Sequence, residues 1–283
     1  MDKLVEVSNI SKDYGNKTIL RNISLTITKG QCLAILGGNG TGKSTLLRLI
    51  ANIERPSSGK VNYPNRNIKI GYVPERFPKG IRFTPSEYLF YIGKMKGISN
   101  DELIKRIEQL LYRFQLDKMN EQRIEELSKG NIQKVGLIQA ILEKPDLLIL
   151  DEPLSGLDSS AQEELVKVIE ELRMQKTAIL LTYHESNIFE AIVENTFYLF
   201  NGHITERKPN ETEAIKLLVV GSVEKLLVKT WHEVIQLEEK DNQLLLYVPL
   251  QESDAILSRL LQMGGEIEAV STVIIDEKAG RMR

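Results

Sequence analysis

The decisive stretch occupies residues 37–44 and has the sequence Gly37-Gly38-Asn39-Gly40-Thr41-Gly42-Lys43-Ser44, which matches the pattern G-x-x-x-x-G-K-[ST]. An apolar run at 32–36 precedes it and predicts a buried strand, and residues 45–50 predict the first turns of a helix. Glycines let the backbone turn tightly, so that successive N–H groups and the positive end of the helix dipole face one anion. The pattern therefore predicts a phosphate-binding loop, with Lys43 at the terminal phosphates and Ser44 on Mg²⁺. The alternative is a glycine-rich turn with an exposed lysine.

The composition is that of a folded chain with one large domain and a small one. Its 283 residues are 42% hydrophobic and 27% charged, with a formal net charge of -2, which gives no sign of a nucleic-acid-binding surface. The only cysteine, Cys32, excludes an internal disulfide, and its apolar surroundings predict a packing role. The first residues lack a secretory signal, and no apolar run reaches the ~18–20 residues that span a bilayer. We expect a cytoplasmic protein that contacts membranes only through a partner chain.

Strand signals and helix signals alternate along the first 208 residues. Short β-like runs at 4–7, 19–27 and 31–36, separated by turn signals at 14–16 and 28–30, predict strands. Pro74, Pro78, Gly80 and Pro85 mark a junction between subdomains. Helical periodicity follows, so we predict a helical insertion over about 85–143 between two strands of the core.

A second part of the chain is predicted at 209–283, after Lys208-Pro209-Asn210. Strands are predicted at 225–229, 244–250 and 267–275, and a helix at 254–263. These signals indicate a small α+β domain without a titratable cluster.

Polar groups follow two further apolar strands. Asp151 and Glu152 come directly after the apolar residues 147–150, and His184 follows the strand predicted at 177–182. Ligands bind beyond the carboxyl ends of parallel strands, so these groups and the phosphate loop should meet. Phosphoryl transfer needs a carboxylate that holds Mg²⁺, which suits Asp151, and a group that acts on water, which suits Glu152. The alternatives are a solvated strand end for the carboxylates and an ordinary polar partner for the histidine.

Two local features accompany these groups. Ser160 and Glu163 have the spacing of a capping box for the next helix. Tyr14 lies in a polar turn before the phosphate loop, where an aromatic ring could stack on a base or be an ordinary half-buried turn residue.

The order of these motifs resembles the nucleotide-binding subunits of ABC transporters over residues 1–208. Residues 37–44 resemble the Walker A loop, 147–152 resemble Walker B with the catalytic glutamate, and 155–158 resemble the D-loop. Residues 127–131, Leu-Ser-Lys-Gly-Asn, resemble the signature sequence, and His184 resembles the switch histidine. The implied fold is α/β: a P-loop NTPase (RecA-like) core with an antiparallel β-subdomain and a helical insertion, plus a small C-terminal α+β domain.

The resemblance implies ATP hydrolysis with Mg²⁺ that powers transport through separate membrane permease subunits. It implies a head-to-tail dimer with a second copy or a paralogue, in which each signature sequence faces the partner's phosphate loop. Catalytic roles would fall to Glu152 and His184, and metal binding to Ser44, Glu75 and Asp151. The implied nucleotide contacts are Tyr14, Gly37, Gly38, Asn39, Gly40, Thr41, Gly42, Lys43, Ser44, Thr45, Ser128, Gly130 and Asp158. For Ser128, a simple helix cap explains the residue equally well.

Two departures from the family pattern stand out. Lys129 and Asn131 replace the usual glycine and glutamine of the signature, while Ser128 and Gly130 remain, so we expect function to survive. Glu75 replaces the usual Q-loop glutamine and adds a negative charge beside the other carboxylates, which should raise carboxyl pKa values and alter metal dependence.

The remaining expectations concern partners and direction. Residues 75–83, with Phe77 expected to be exposed, are predicted to receive the permease, unless they are a Pro-rich linker. The tail resembles the small extension of some drug and antimicrobial-peptide exporters, which favours export. The subunit would lie on the inner face of the cell membrane through its permease. The alternatives are a soluble ABC-type ATPase that acts as an assembly factor, and a regulator that hardly hydrolyses ATP.

Overall fold

The computed structural model describes residues 2–78, 80–119, 121–183, 187–206, 215–221, 228, 231, 233–240, 243–249, 252–273, 275–276 and 281–282. The chain divides into two compact units, Met1–Arg207 and Lys208–Arg283. His184 and the residues of the predicted boundary, 208–210, lie outside the described residues.

The first unit combines short strands with helices. Its elements in chain order are β1 (Lys3–Tyr14), β2 (Lys17–Thr28), β3 (Cys32–Leu36), α1 (Lys43–Ile50), β4 (Ser58–Asn62), β5 (Ile70–Val73), α2 (Pro85–Met95), α3 (Asn100–Arg113), α4 (Lys129–Ile141), β6 (Leu147–Asp151), α5 (Ser159–Met174), β7 (Ala178–Thr182), α6 (Asn187–Glu190), β8 (Asn195–Phe200) and β9 (His203–Thr205).

A six-stranded sheet with the order β5-β6-β7-β3-β8-β9 forms the centre of this unit. Its strands pair in parallel except for β9, which is antiparallel to β8. A separate antiparallel sheet has the order β2-β1-β4. The helices α2, α3 and α4 lie between β5 and β6 in the chain. The predicted α/β class with an antiparallel subdomain and a helical insertion is therefore confirmed.

The central strands are buried on both faces, which explains their unbroken apolar sequences. In β6, Leu148 and Leu150 pack in a core with residues of α2, α3, α4 and α5. Leu147 and Ile149 alternate with them and pack in a second core with α1, β1 and β2. Each fully buried leucine or isoleucine contributes about 1.5–3 kcal/mol, so these two cores fix the strand that ends in Asp151.

Phe77 lies within the first core, which corrects the expectation that it is exposed. Its side chain is 7% exposed and meets the ring of Tyr88 edge to face, with 6.0 Å between the centroids. It also packs so closely on Gly136 that a Cβ there would lie 2.6 Å from Phe77 Cδ2. The glycine on α4 makes room for the ring, a contact that the local sequence around Phe77 does not reveal.

The start of α5 differs from the predicted capping box. The helix begins at Ser159, and the side chain of Asp158 accepts a hydrogen bond from the Ala161 N–H at 2.9 Å. Asp158 is thus the N-cap, and the prediction for Ser160 with Glu163 was wrong. An aspartate two residues earlier satisfies the same orphan N–H groups and adds a favourable charge at the helix dipole.

The second unit is a small α+β fold. Its described elements are β10 (Ile215–Gly221), β11 (Gln236–Lys240), β12 (Gln243–Pro249), α7 (Ser253–Gln262), β13 (Glu266–Val273), β14 (Ile275–Asp276) and β15 (Arg281–Met282). An antiparallel sheet has the order β11-β12-β10-β13, and buried residues of α7 pack with its apolar residues.

Some predictions for this unit match the structure and others need correction. The predicted helix and the strands at 244–250 and 267–275 match α7, β12 and β13 within one or two residues. The sequence analysis missed β10 and β11. Of the strand predicted at 225–229, Val228 is helical and the other residues lie outside the described part of the chain.

Candidate nucleotide-binding site

The phosphate loop joins β3 to α1 and depends on two glycines for its shape. Gly42 precedes the helix with φ 105°, and a Cβ there would lie 2.7 Å from Ile19 Cγ2. A Cβ on Gly37 would lie 2.5 Å from the carbonyl oxygen of Leu199. Both positions therefore exclude other residues, and the positive φ of each, 152° at Gly37 and 105° at Gly42, disfavours a side chain as well. Within the loop, the Thr41 hydroxyl donates to the Gly38 carbonyl at 2.9 Å.

Lys43 is buried and curls back over this loop. Its Nζ donates to the carbonyl oxygens of Gly37 at 2.9 Å and Gly38 at 3.1 Å, and lies 3.8 Å from Glu152 Oε1. Burial lowers the pKa of Lys43, while the charges of Glu152, Asp151 and Glu75 act in the opposite direction. The ammonium group thus sits between the loop and the carboxylates, where terminal phosphates would meet it.

Asp151 ends β6 and is 1% exposed. The Thr182 hydroxyl donates to its Oδ1 at 2.8 Å, and the Ser44 side chain is a second hydrogen-bond partner. Burial raises the pKa of Asp151, these two hydrogen bonds lower it, and the charges of Glu152 and Glu75 raise it again. The effect of Glu75 has the direction expected for a like charge.

The pairing of Ser44 with Asp151 fits a Mg²⁺ ion. Magnesium prefers oxygen ligands and is held by one or two protein groups together with substrate phosphates. A hydroxyl and a carboxylate already in contact beside the phosphate loop supply that donor set. Consistently, the described residues contain no group of three or more His, Cys, Asp or Glu that would form an all-protein metal cage.

Glu152 has a strained backbone at the mouth of the site. Its φ is 48°, in the left-handed region that side chains rarely adopt. The Glu152 N–H donates to Thr182 Oγ1 at 2.9 Å, and its carbonyl accepts from the Ser155 N–H at 3.1 Å. These two bonds hold the turn that directs the residue after Asp151 away from the strand, next to Lys43.

Thr182 is a site residue that the sequence analysis missed. It is fully buried at the end of β7 and contacts both Asp151 and Glu152. The available signal was a polar residue at the end of the apolar run Ala178–Thr182, beside the strand that carries the carboxylates.

Lys43, Ser44 and Glu152 line a cleft of about 550 Å³, whereas Asp151 and Thr182 lie outside its lining. The lining residues are Tyr14, Ile19, Asn39, Gly40, Gly42, Lys43, Ser44, Thr45, Glu75, Arg76 and Glu152. Tyr14 lies at the end of β1 and is 44% exposed. Its hydroxyl donates a hydrogen bond to Glu54 Oε1, and Lys12 Nζ lies 5.0 Å from the centroid of its ring. Tyr14 is thus held in place at the cleft with its ring partly open, as a base-stacking residue requires.

The predicted signature and D-loop residues form a separate contact away from this lining. The Ser128 hydroxyl accepts from the Asn131 N–H at 3.2 Å and so caps α4. A Cβ on Gly130 would lie 2.3 Å from the Gly156 carbonyl oxygen, so the two segments touch backbone to backbone. Neither Ser128 nor Gly130 is among the described residues that line the cleft.

The fold and the cleft together define a P-loop ATPase domain. A family model described as "ABC transporter" matches residues 20–155. The chain is 35% identical to the zinc import ATP-binding protein ZnuC of Rickettsia bellii, over 71% of this chain and 84% of that protein. It is 33% identical to the uncharacterized ABC transporter ATP-binding protein YhaQ of Bacillus subtilis, over 70% of this chain and 69% of that protein.

Among solved structures, a dimeric ATP-binding cassette in a post-hydrolysis state with ADP and Pi matches with a TM-score of 0.63 and 27% identity, over 72% of this chain and 97% of that one. The chain belongs to the ABC transporter ATP-binding family. It is the ATP-binding subunit of such a transporter, and it binds ATP with Mg²⁺ and hydrolyses it. Within the described residues, no helix is both long and apolar enough to cross a membrane.

Proposed function

We propose that two such chains bind two ATP molecules head to tail and that each signature sequence completes the partner's site. The observation that carries this proposal is the packing of the start of α4 on Gly156, since Ser128 and Gly130 lie there and are not among the described residues that line the cleft. Both lie at the N-terminus of α4, where backbone N–H groups and the helix dipole favour an anion. A second chain is the nearest source of a phosphate for them.

Within each site, the described residues take distinct roles. Lys43 and the loop N–H groups bind the phosphates, Ser44 and Asp151 hold Mg²⁺ with Glu75 nearby, and Mg²⁺ when bound offsets charge on the phosphates. Glu152 orients water and takes its proton. Tyr14 and Thr45 contact the nucleotide as cleft residues, and Asp158 supports the interface through the cap of α5. His184, outside the described residues, remains a predicted catalytic partner.

A mixed-chain experiment tests the composite site. Lys43→Ala and Ser128→Arg each remove one half of a site, so each chain alone should lose ATPase activity. Mixing the two restores one intact site per mixed dimer and should recover part of the activity. Two results together would refute the shared site. The mixture would recover no ATPase activity, and the Glu152→Gln protein would remain monomeric in saturating Mg²⁺-ATP, as measured by light scattering.

Coupling to separate permease subunits is proposed through residues 75–83 and α2. Phe83 and Tyr91 are exposed, and their rings meet at a tilt of 51° with 5.3 Å between the centroids; Met95, on α2 with Tyr91, is 84% exposed. An exposed apolar patch of this kind suits a protein partner. Phe83→Ser with Tyr91→Ser should abolish permease pull-down and leave the ATPase activity of the isolated subunit unchanged; retained pull-down would contradict the proposal.

The second unit is proposed to be an accessory domain, residues 209–283. Its resemblance to exporter extensions is the only support for export. Of the two relatives described above, only the Rickettsia protein has a name that states a direction of transport, and that direction is import. The comparisons therefore do not confirm export. A polytopic membrane protein encoded by the neighbouring gene would separate a transporter subunit from a soluble ATPase.

A further inference from the structure

Lys129 departs from the family pattern and makes a contact that glycine cannot make. It is the first residue of α4, and its Nζ donates to Ser155 Oγ at 3.0 Å. Its stem lies along Gly156, where a Cβ would come within 3.5 Å of Lys129 Cδ. An exposed lysine usually remains mobile in solvent, so this packed and bonded geometry indicates a specific contact.

Ser155 connects the Lys129 contact to Glu152. The Ser155 N–H donates to the Glu152 carbonyl oxygen at 3.1 Å. On its other side, Glu152 is bonded through its N–H to Thr182. Lys129, Ser155, Glu152 and Thr182 therefore form a continuous set of hydrogen bonds from the start of α4 to the cleft.

A second lysine, Lys134, contacts the C-terminal end of the loop 155–158. Lys134 Nζ lies 2.8 Å from Asp158 Oδ2, and the Lys134 side chain is only 6% exposed. The hydrogen bond from Lys134 is the main cause that lowers the pKa of Asp158. With the close approach of Gly130 to Gly156, residues 155–158 are attached to α4 at three points. The loop and the start of the helix should move together.

We propose that Lys129 is a positioning residue that fixes the loop 152–158 through Ser155 and thereby sets the orientation of Glu152. A second consequence rests on the function proposed above. In a head-to-tail dimer, Ser128 serves the partner's ATP while Glu152 serves its own, so Lys129 links the two nucleotide sites within one chain. This linkage is a coupling between sites, to be measured as cooperativity.

Hydrogen exchange on the isolated, nucleotide-free chain tests the positioning role. Lys129→Met keeps the stem but removes the donor, Ser155→Ala removes the acceptor, and Lys129→Arg keeps a donor. Exchange in peptides covering 152–158 should speed up in the first two and stay unchanged in the third. Lys105→Met, the same change at an exposed position of α3, is the control. Exchange in Lys129→Met equal to that in the control would overturn the proposal.

Steady-state kinetics test the consequence for catalysis. Loss of one hydrogen bond that orients Glu152 should lower kcat roughly fivefold with little change in KM for ATP, and lower the Hill coefficient toward one. The double variant Lys129→Met/Ser155→Ala should be no worse than either single variant, because both remove one contact. Additive losses would mean that Lys129 acts directly on the partner's phosphate, and would refute the route through Ser155.

The hydrogen-exchange experiment and the mixed-chain experiment can fail separately, so a failure of the role of Lys129 is distinguishable from a failure of the proposed dimer. If the mixed chains do not recover activity but exchange still changes, Lys129 positions the loop within one chain and the link between sites is refuted. If activity recovers but exchange does not change, the shared site stands and the role of Lys129 is refuted.

Discussion

The hydroxyl of Thr182 donates a hydrogen bond to Oδ1 of Asp151 across 2.8 Å, and so joins the ends of β7 and β6 at the cleft. The hydroxyl oxygen itself, Thr182 Oγ1, accepts from the Glu152 N–H at 2.9 Å. One buried threonine thus orients the carboxylate beside Ser44 and the backbone of the residue assigned to water activation.

Thr182→Val should impair the site at nearly constant side-chain volume. It removes the two hydrogen bonds that Thr182 Oγ1 makes with the Glu152 N–H and with Asp151 Oδ1, at a cost of about 1–3 kcal/mol in the free energy of unfolding. We expect kcat for ATP to fall about tenfold or more, measured by phosphate release. Thr182→Ser keeps the hydroxyl and should remain within a few-fold of wild type. Equal losses in both variants would show that the hydroxyl does not matter.

Glu75→Gln should change metal dependence more than nucleotide affinity. The substitution removes a negative charge that acts on both Asp151 and Lys43. Attraction for Mg²⁺ weakens, so the Mg²⁺ concentration for half-maximal ATPase activity should rise about threefold at fixed ATP. Unchanged activity and unchanged Mg²⁺ dependence would remove Glu75 from the mechanism. Glu108→Gln, at an exposed carboxylate of α3 outside the lining of the cleft, is a matched control.

Gly136→Ala should destabilise the first unit through Phe77. The added methyl would lie 2.6 Å from Phe77 Cδ2, and overpacking of this kind costs about 1–3 kcal/mol in the free energy of unfolding. Denaturant unfolding measures the loss. The double variant Gly136→Ala/Phe77→Leu makes room for the methyl and should be more stable than the sum of the two single changes predicts. Strict additivity would argue against the contact.

Cys32 should be unreactive in the folded chain. It is fully buried in β3, and burial raises the pKa of its thiol to about 12, so almost no thiolate forms near pH 8. Ellman's reagent at pH 8 should detect no thiol in the native protein and one per chain in guanidinium chloride. Because the folded pKa is raised, the protonated thiol favours folding below about pH 9, and this contribution is lost as the pH rises toward 12. Rapid native labelling would contradict the burial.

Motifs whose chemistry depends on consecutive residues could be predicted from the sequence. The glycines and Lys43 specify a phosphate loop by backbone freedom and charge alone, and the apolar run before Asp151 specifies a buried parallel strand. The order of these motifs also indicated the family. In the tail, β10 and β11 were not predicted, although Gly221-Ser222 at the end of β10 and Asp241-Asn242 after β11 are turn signals.

Contacts between distant segments could not be predicted in this way. Phe77 is followed by a proline and looked exposed, yet Gly136, far along the chain, provides the space that buries it. Asp158, not Ser160, caps α5, and Lys134 on another helix holds the Asp158 carboxylate. Thr182 was one of several buried strand residues until the parallel pairing with β6 set it opposite Asp151.

The sequence by itself determined that this chain binds and hydrolyses a nucleotide, because the loop from Gly37 to Ser44 and the carboxylates after residue 150 specify that chemistry locally. The tertiary structure decided which side chains orient these groups. Hydrogen bonds of about 3 Å depend on strand register and helix packing, and both arise from long-range burial of apolar surface. That is why Thr182, an ordinary polar residue in the sequence, becomes a neighbour of Glu152 only in the folded chain, and why Lys129 meets Ser155 only there.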